Sequence, residues 1–228
     1  MNPSSIVFIS GWGGDRHVWD GVCERLAASF SLHHVEWWEC LDGRRPPGPA
    51  MCVGWSLGGL LALSAAFGAP EDVSALVLVS STARLCSAEG YAAVPGRLLR
   101  AMRLKLRESP EAVLGDFWER AFAPVEAPPR VARLAARAAA LPKDRLDAGL
   151  RRLEGEDLRA RLPELTMPAL VVHGEADQIV PHQSGAYLAG HLPRGRLVTV
   201  SGCGHALPHC APGILTEQIE RFANELRG

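Results

Sequence analysis

The chain has 228 residues, 47% hydrophobic and 21% charged, with a formal net charge of -1. That is enough for one sizeable core without disulfide or metal staples, and too apolar for a disordered chain. Charge this balanced argues against a nucleic-acid binder held by phosphate neutralisation, and no apolar run approaches the roughly eighteen residues of a membrane span.

The start, Met1-Asn2-Pro3-Ser4-Ser5, has no basic leader. Ser5–Ser10 reads as a strand, Gly11–Gly14 as a glycine-rich loop, and Trp19–Phe30 as a helix from the spacing of Trp19, Val22, Leu26 and Phe30. A second strand is expected around Leu32–Trp38. The stretch Glu39–Pro49, with three prolines and two glycines, leaves little room for a crossover helix. Ala50–Gly54 is a short buried strand, Leu57–Phe67 an apolar helix and Val73–Val79 a strand apolar along its length. Residues 84–161 then lack strand signals and show helical runs broken at Pro110, Pro124, Pro128-Pro129 and Pro142. Sheet grammar returns with Ala169–His173, a helix near Gln183–Leu192, a strand at Leu197–Ser201 and a last helix from Ile214 to Leu226. The pattern predicts an α/β fold, a mostly parallel sheet of about six strands with helices on both faces. Residues 1–82 and 162–228 form its core, and 83–161 a helical insertion.

Charge is divided along the same line. Residues 84–161 hold sixteen of the 24 Lys and Arg against eleven acids, while the remainder holds eight bases against fourteen acids. Six scattered cysteines (Cys23, Cys40, Cys52, Cys86, Cys203 and Cys210) form no C-x-x-C pair. They read as free thiols of a cytoplasmic protein, several of them core fillers.

Gly54-Trp55-Ser56-Leu57-Gly58 matches G-x-S-x-G between a strand and a helix, the setting of a nucleophile elbow. The flanking residues must be small for strand and helix to approach, and the serine oxygen then stands at a helix N-terminus. A serine hydroxyl needs a base, oriented by an acid, in the chain order Ser, Asp or Glu, His. His205, just past the last strand, fits the base. His209 lies close behind and reads as structural or exposed. His173 precedes the acid segment, His17 lies near the first loop, and His33, His34, His182 and His191 have surface or packing readings. Glu175 and Asp177 both follow the fifth strand; the shorter carboxylate of Asp177 would be held more rigidly against an imidazole, and Glu175 stays an alternative. The oxyanion donors are expected to be the backbone N–H groups of Leu57 and Trp12. The glycine loop lacks the spacing of a phosphate cradle, and no metal or organic cofactor is implied.

These segments resemble the α/β-hydrolase fold and, within it, the pimeloyl-acyl-carrier-protein methyl ester esterase family of biotin synthesis. The likeness rests on Gly11-Trp12-Gly13 with Trp19, on Gly54 to Gly59, and on Val79-Ser80-Ser81-Thr82. It continues through Gly149 to Leu153, Asp157-Leu158-Arg159, Met167 to Leu170, Gly174 to Pro181 and Gly204-His205-Ala206. The resemblance implies Ser56 as nucleophile, Asp177 rather than Glu175 as acid, His205 as base, and Trp12 and Leu57 as oxyanion donors. It also implies that the insertion is a lid that docks an acidic carrier protein through arginines, here Arg130, Arg133, Arg137 and Arg151. Arg130, Arg133 and Arg137 share one helical face. Trp12, Trp55, Phe117 and Trp118 are expected to line the substrate site, and the protein is expected to be a monomer. Two departures stand out: Ser10-Gly11 opens the oxyanion loop where many relatives have His-Gly, and the chain is short around Glu39–Pro49.

Overall fold

A computed structural model describes residues 5–227; Met1–Ser4, where no basic leader was read, lies outside the described residues. The strands are β1 (Ser5–Ile9), β2 (Ser31–Val35), β3 (Ala50–Trp55), β4 (Val73–Val79), β5 (Ala169–Gly174) and β6 (Gly195–Val200). They form one sheet in the order β2-β1-β3-β4-β5-β6, with every pairing parallel. All of β3 and β5, and all of β4 except Ser74, are buried. Both faces are therefore covered, which is why these strands read as unbroken apolar runs. The edge strand β2 alternates instead, with Ser31 and His33 exposed.

The helices are α1 (Asp20–Leu26), α2 (Trp37–Leu41), α3 (Leu57–Gly68), α4 (Gly96–Glu108), α5 (Pro110–Phe122), α6 (Val131–Ala139), α7 (Lys143–Gly155), α8 (His182–His191), α9 (Leu207–Cys210) and α10 (Pro212–Glu225). α3 packs on β1, β3 and β4, α8 on β5 and β6, and α1 on α10. None of the helices is long and apolar enough to cross a membrane among the described residues.

Several boundaries differ from the sequence reading. The first helix ends at Leu26 rather than Phe30, because the chain must turn there to pair Ser31 with Ser5. The second strand stops at Val35, where Glu36 becomes a helix N-cap whose N–H is accepted by the Glu39 carboxylate at 2.9 Å. That device starts α2, a five-residue helix in the crossover where little room for one was expected. The segment after β4 has two isolated bridges, Cys86 with Val94 and Ala88 with Tyr91, before α4 begins. Two of the prolines read as breaks in the insertion act as helix starts: Pro110 opens α5 and Pro142 caps α7, positions where a missing N–H costs nothing.

The insertion helices pack on one another, α4 on α5 and α7, and α5 on α6, while α2 supports α7. Arg103 ties α4 to α7 by ion pairs of 2.7 Å to both Asp147 and Glu154. Asp147 is nearly buried, and the hydrogen bond from Arg103 holds its carboxyl below the usual range.

Candidate active site

The chain leaves β1 toward β2 on one side and returns to β3 on the other, so β1 and β3 are neighbours with diverging loops. Such a switch point at the carboxyl end of a parallel sheet leaves a crevice for a ligand. Gly11 and Ser56 face each other across it: a Cβ on Gly11 would sit 3.0 Å from that of Ser56.

Ser56 joins β3 to α3 with φ 55° and ψ -119°, a left-handed backbone that costs a non-glycine residue conformational energy. Two bonds hold it there. Its N–H donates to the Val79 carbonyl at 2.9 Å, and the Ser81 hydroxyl donates to its carbonyl at 2.8 Å. A Cβ on Gly54 would run into the Gly58 carbonyl, and one on Gly58 into the Ile9 carbonyl. The spacing of the motif is thus a packing requirement between β1, β3 and α3.

The Ser56 hydroxyl lies 2.9 Å from Nε2 of His205, and Nδ1 of the same ring lies 2.8 Å from Oδ2 of Asp177. The side chains of His205 and Asp177 are fully buried. Burial pushes the Asp177 carboxyl up, but the imidazole of His205, hydrogen-bonded to it, and the imidazole of His173 close by outweigh it, so it is held well below the usual carboxylate range. An ionised Oδ2 can only accept, which places the proton of His205 on Nδ1 and leaves Nε2 to accept from the serine. Oδ1 accepts from the N–H groups of Ile179 and Val180, each at 2.8 Å. Of the two carboxylates left open by the sequence, Asp177 reaches His205, and Glu175 is exposed. The His205 ring rests against Trp55 and Phe117, centroids 5.2 and 6.1 Å away, and the Trp55 indole donates to the His205 carbonyl at 2.8 Å.

The N–H groups of Leu57 and Trp12 donate to no protein acceptor among the described residues, as oxyanion donors require. Three indoles hold the loop around Trp12. Trp118 donates to the Gly13 carbonyl at 2.9 Å, Trp37 to the Gly14 carbonyl at 3.2 Å, and Trp12 to the Leu146 carbonyl of α7 at 2.8 Å. Trp12, Trp55, Phe117 and Trp118 do come together: Trp12 meets Phe117 edge-on at 5.2 Å, and Trp118 stacks on Trp55 at 5.7 Å. All four are buried. The Trp118 N–H also ties α5 to the loop that carries Trp12, a contact that the sequence reading missed. Trp37 was not singled out at all, because nothing in the sequence places residue 37 beside residue 14.

The alpha/beta hydrolase fold family matches residues 32–209. The chain belongs to that family. It is similar to the pimeloyl-[acyl-carrier protein] methyl ester esterase of Nitrosomonas europaea, 33% identical over 241 aligned positions that cover 90% of each chain. A solved esterase from Exiguobacterium antarcticum superposes with a TM-score of 0.86 over 98% of this chain and 93% of its own, at 18% identity. A bromoperoxidase from Bacillus anthracis gives 0.84 over 97% and 92%, at 17% identity. Identities that low speak for the fold alone. The chain is an esterase of the alpha/beta hydrolase family.

The remaining candidates fall elsewhere in this hydrolase. Burial raises all six thiols, Cys52 up to about 12, so none is a ready thiolate. Burial, with help from Arg130, pushes His209 down to about 4, and its ring stacks on Phe122. Of the four arginines expected to dock a partner, Arg137 pairs with Asp15 at 2.6 Å and Arg151 with Asp147 at 3.0 Å. Arg130 donates to the His209 carbonyl and lies over the Phe122 ring. Arg133 is exposed and has no partner among the described residues.

Proposed function

We propose that the chain hydrolyses the methyl ester of a carrier-protein-bound acyl chain, as a cytoplasmic monomer, with residues 83–161 acting as a lid. The unbroken chain of hydrogen bonds from Ser56 through His205 to Asp177 carries the chemistry; the similarity to named methyl ester esterases over nine-tenths of the chain supports the substrate.

In this reading Ser56 attacks the ester carbonyl as His205 Nε2 takes its proton. The N–H groups of Leu57 and Trp12 receive the oxyanion of the tetrahedral intermediate, each such donor contributing about 3 kcal/mol. Asp177 keeps the imidazole in the productive tautomer and stabilises the imidazolium without attacking. His205 then protonates the departing methoxide, which leaves as methanol. A water deprotonated by His205 opens the acyl-enzyme, and the proton returns to Ser56. The rings of Trp55 and Phe117 against the imidazole, with Trp12 edge-on to Phe117, favour a small group at the scissile bond. The basic insertion supplies a field that attracts an acidic carrier. Arg133 is the docking arginine freest to meet such a partner, because Arg130, Arg137 and Arg151 already make bonds within the chain.

The test is hydrolysis of pimeloyl-carrier-protein methyl ester beside a neutral p-nitrophenyl ester, with Ser56→Ala as control. The carrier-bound substrate should be turned over with the higher kcat/KM, and only that value should fall as salt rises. A preference for the neutral ester, or salt curves that coincide, would overturn the carrier assignment while leaving the esterase chemistry intact.

A further inference from the structure

His173, the penultimate residue of β5, is fully buried, yet no step of the mechanism above calls on it. Its Nε2 lies 3.0 Å from the Val180 carbonyl and 3.3 Å from Oδ2 of Asp177. Both neighbours are acceptors, since Asp177 is ionised, so the ring proton belongs on Nε2, which donates to the Val180 carbonyl and lies within electrostatic reach of Oδ2. Nδ1 is then bare, and it is buried with no hydrogen-bond partner among the described residues. A phenyl ring would fill the same space without that orphan. The imidazole is explained by what its other edge touches.

The two oxygens of Asp177 are held differently. Backbone N–H groups of Ile179 and Val180 fix Oδ1. Among the described residues, the side chains that meet Oδ2, the oxygen facing the base, are His205 and His173. Without His173, His205 would be the one side chain among the described residues to meet Oδ2 directly, and the carboxylate would be aimed chiefly by the bonds to Oδ1. We infer that His173 is a positioning residue: its Nε2–H holds Oδ2 of Asp177 in line with Nδ1–H of His205 while the base cycles between neutral and charged forms.

The surroundings suit a fixed ring. Gly185 of α8 is pressed against it so closely that a Cβ there would run into Nδ1, which blocks rotation about the ring axis. The titratable groups around it are Asp177 and, through it, His205; His182, whose ring meets it edge-on at 5.7 Å and bonds to Thr199 at 2.8 Å; and the exposed Glu175 at the start of the same loop.

The inference rests on the reading of Ser56, His205 and Asp177 as the relay, not on the carrier-bound substrate, so a p-nitrophenyl ester serves as the probe. His173→Phe should lower kcat about tenfold with KM nearly unchanged, the mark of a reacting group slightly out of line. His173→Gln, whose amide N–H can stand where Nε2–H was, should restore most of that loss although its melting temperature is also lowered. Gly185→Ala, which moves the ring without removing a polar atom, should reproduce the loss in kcat and keeps the question open to test if His173→Phe does not fold. Equal kcat in the Phe and Gln variants, or a wild-type kcat in Gly185→Ala with the ring displaced, would overturn the inference. Ser56→Ala run alongside separates the two levels: if it stays active the relay itself is wrong, whereas an inactive Ser56→Ala with an active His173→Phe removes only the role of His173.

Discussion

At the carboxyl end of the sheet, position is set by backbone; in the insertion, it is set by side chains. The main chain of Ser56 is held by bonds to the Val79 carbonyl and from the Ser81 hydroxyl, and by glycines that let β1, β3 and α3 touch. The insertion is joined by ion pairs such as Arg103 with Asp147 and Glu154, and it meets the body through the indoles of Trp12 and Trp118. The first region has little freedom to rearrange without unfolding. The second rests on side-chain contacts, the kind that the lid proposed above would have to exchange as substrate enters. The loop that carries Trp12 lies where the two meet, so its geometry depends on both.

The largest effects should come from the rigid region. Ser56→Ala should cost about 10^5-fold or more in kcat, and Asp177→Asn about 10^4-fold because the amide selects the wrong tautomer of His205, with melting curves that still show a folded protein. Gly58→Ala should act on stability, costing roughly 1–3 kcal/mol or more in urea unfolding as the new methyl meets the Ile9 carbonyl. Wild-type stability in that variant would show that the elbow yields, and would erase the contrast with the insertion.

Trp118→Phe probes the junction. It leaves the Gly13 carbonyl without its indole donor, which should cost about 1–3 kcal/mol of stability. If the insertion helps to build the oxyanion loop, kcat should fall more than KM rises; an unchanged kcat would reduce the insertion to a cover. The smallest effect concerns Asp157, where the insertion returns to the body. The hydrogen bond from Arg159, backed by the charge of Arg84, lowers its carboxyl to about 2. A carboxyl depressed in the fold stabilises it above the unfolded value of 3.8, and that contribution is lost as pH falls toward 2. The pair is one-third exposed, so Asp157→Asn should lower the urea midpoint only slightly at pH 5, under about 1 kcal/mol, and the difference from wild type should vanish near pH 2.

The contrast also explains what was legible in the sequence. Backbone requirements leave local marks: Gly54, Ser56 and Gly58 at fixed spacing, apolar runs for β3 to β5, and prolines at helix starts. The order Ser56, Asp177, His205 could be read because chain order along a parallel sheet predicts which loops meet. Contacts made by side chains across long separations leave no such mark. Trp37 on Gly14, Trp118 on Gly13 and His173 beside Asp177 depend on how elements stack, and no periodicity records that. The short helix α2 was hidden for a related reason: its capping pair, Glu36 and Glu39, precedes a proline-rich segment that reads as loop. The arginines expected to dock a partner illustrate the converse. The helical spacing of Arg130, Arg133 and Arg137 was plain, but nothing in the sequence told that Arg137, like Arg151, is paired with an acid of the same chain.

The claim beneath all of this is that Ser56, made nucleophilic by His205, is the reacting group. Treatment with a fluorophosphonate, followed by intact-mass and peptide mass spectrometry, tests it without any assumption about the natural ester. One adduct per chain is expected, located on Ser56 and absent from a folded His205→Ala variant. A folded wild-type protein that takes up no phosphonate, or takes it up on another residue, would contradict the account.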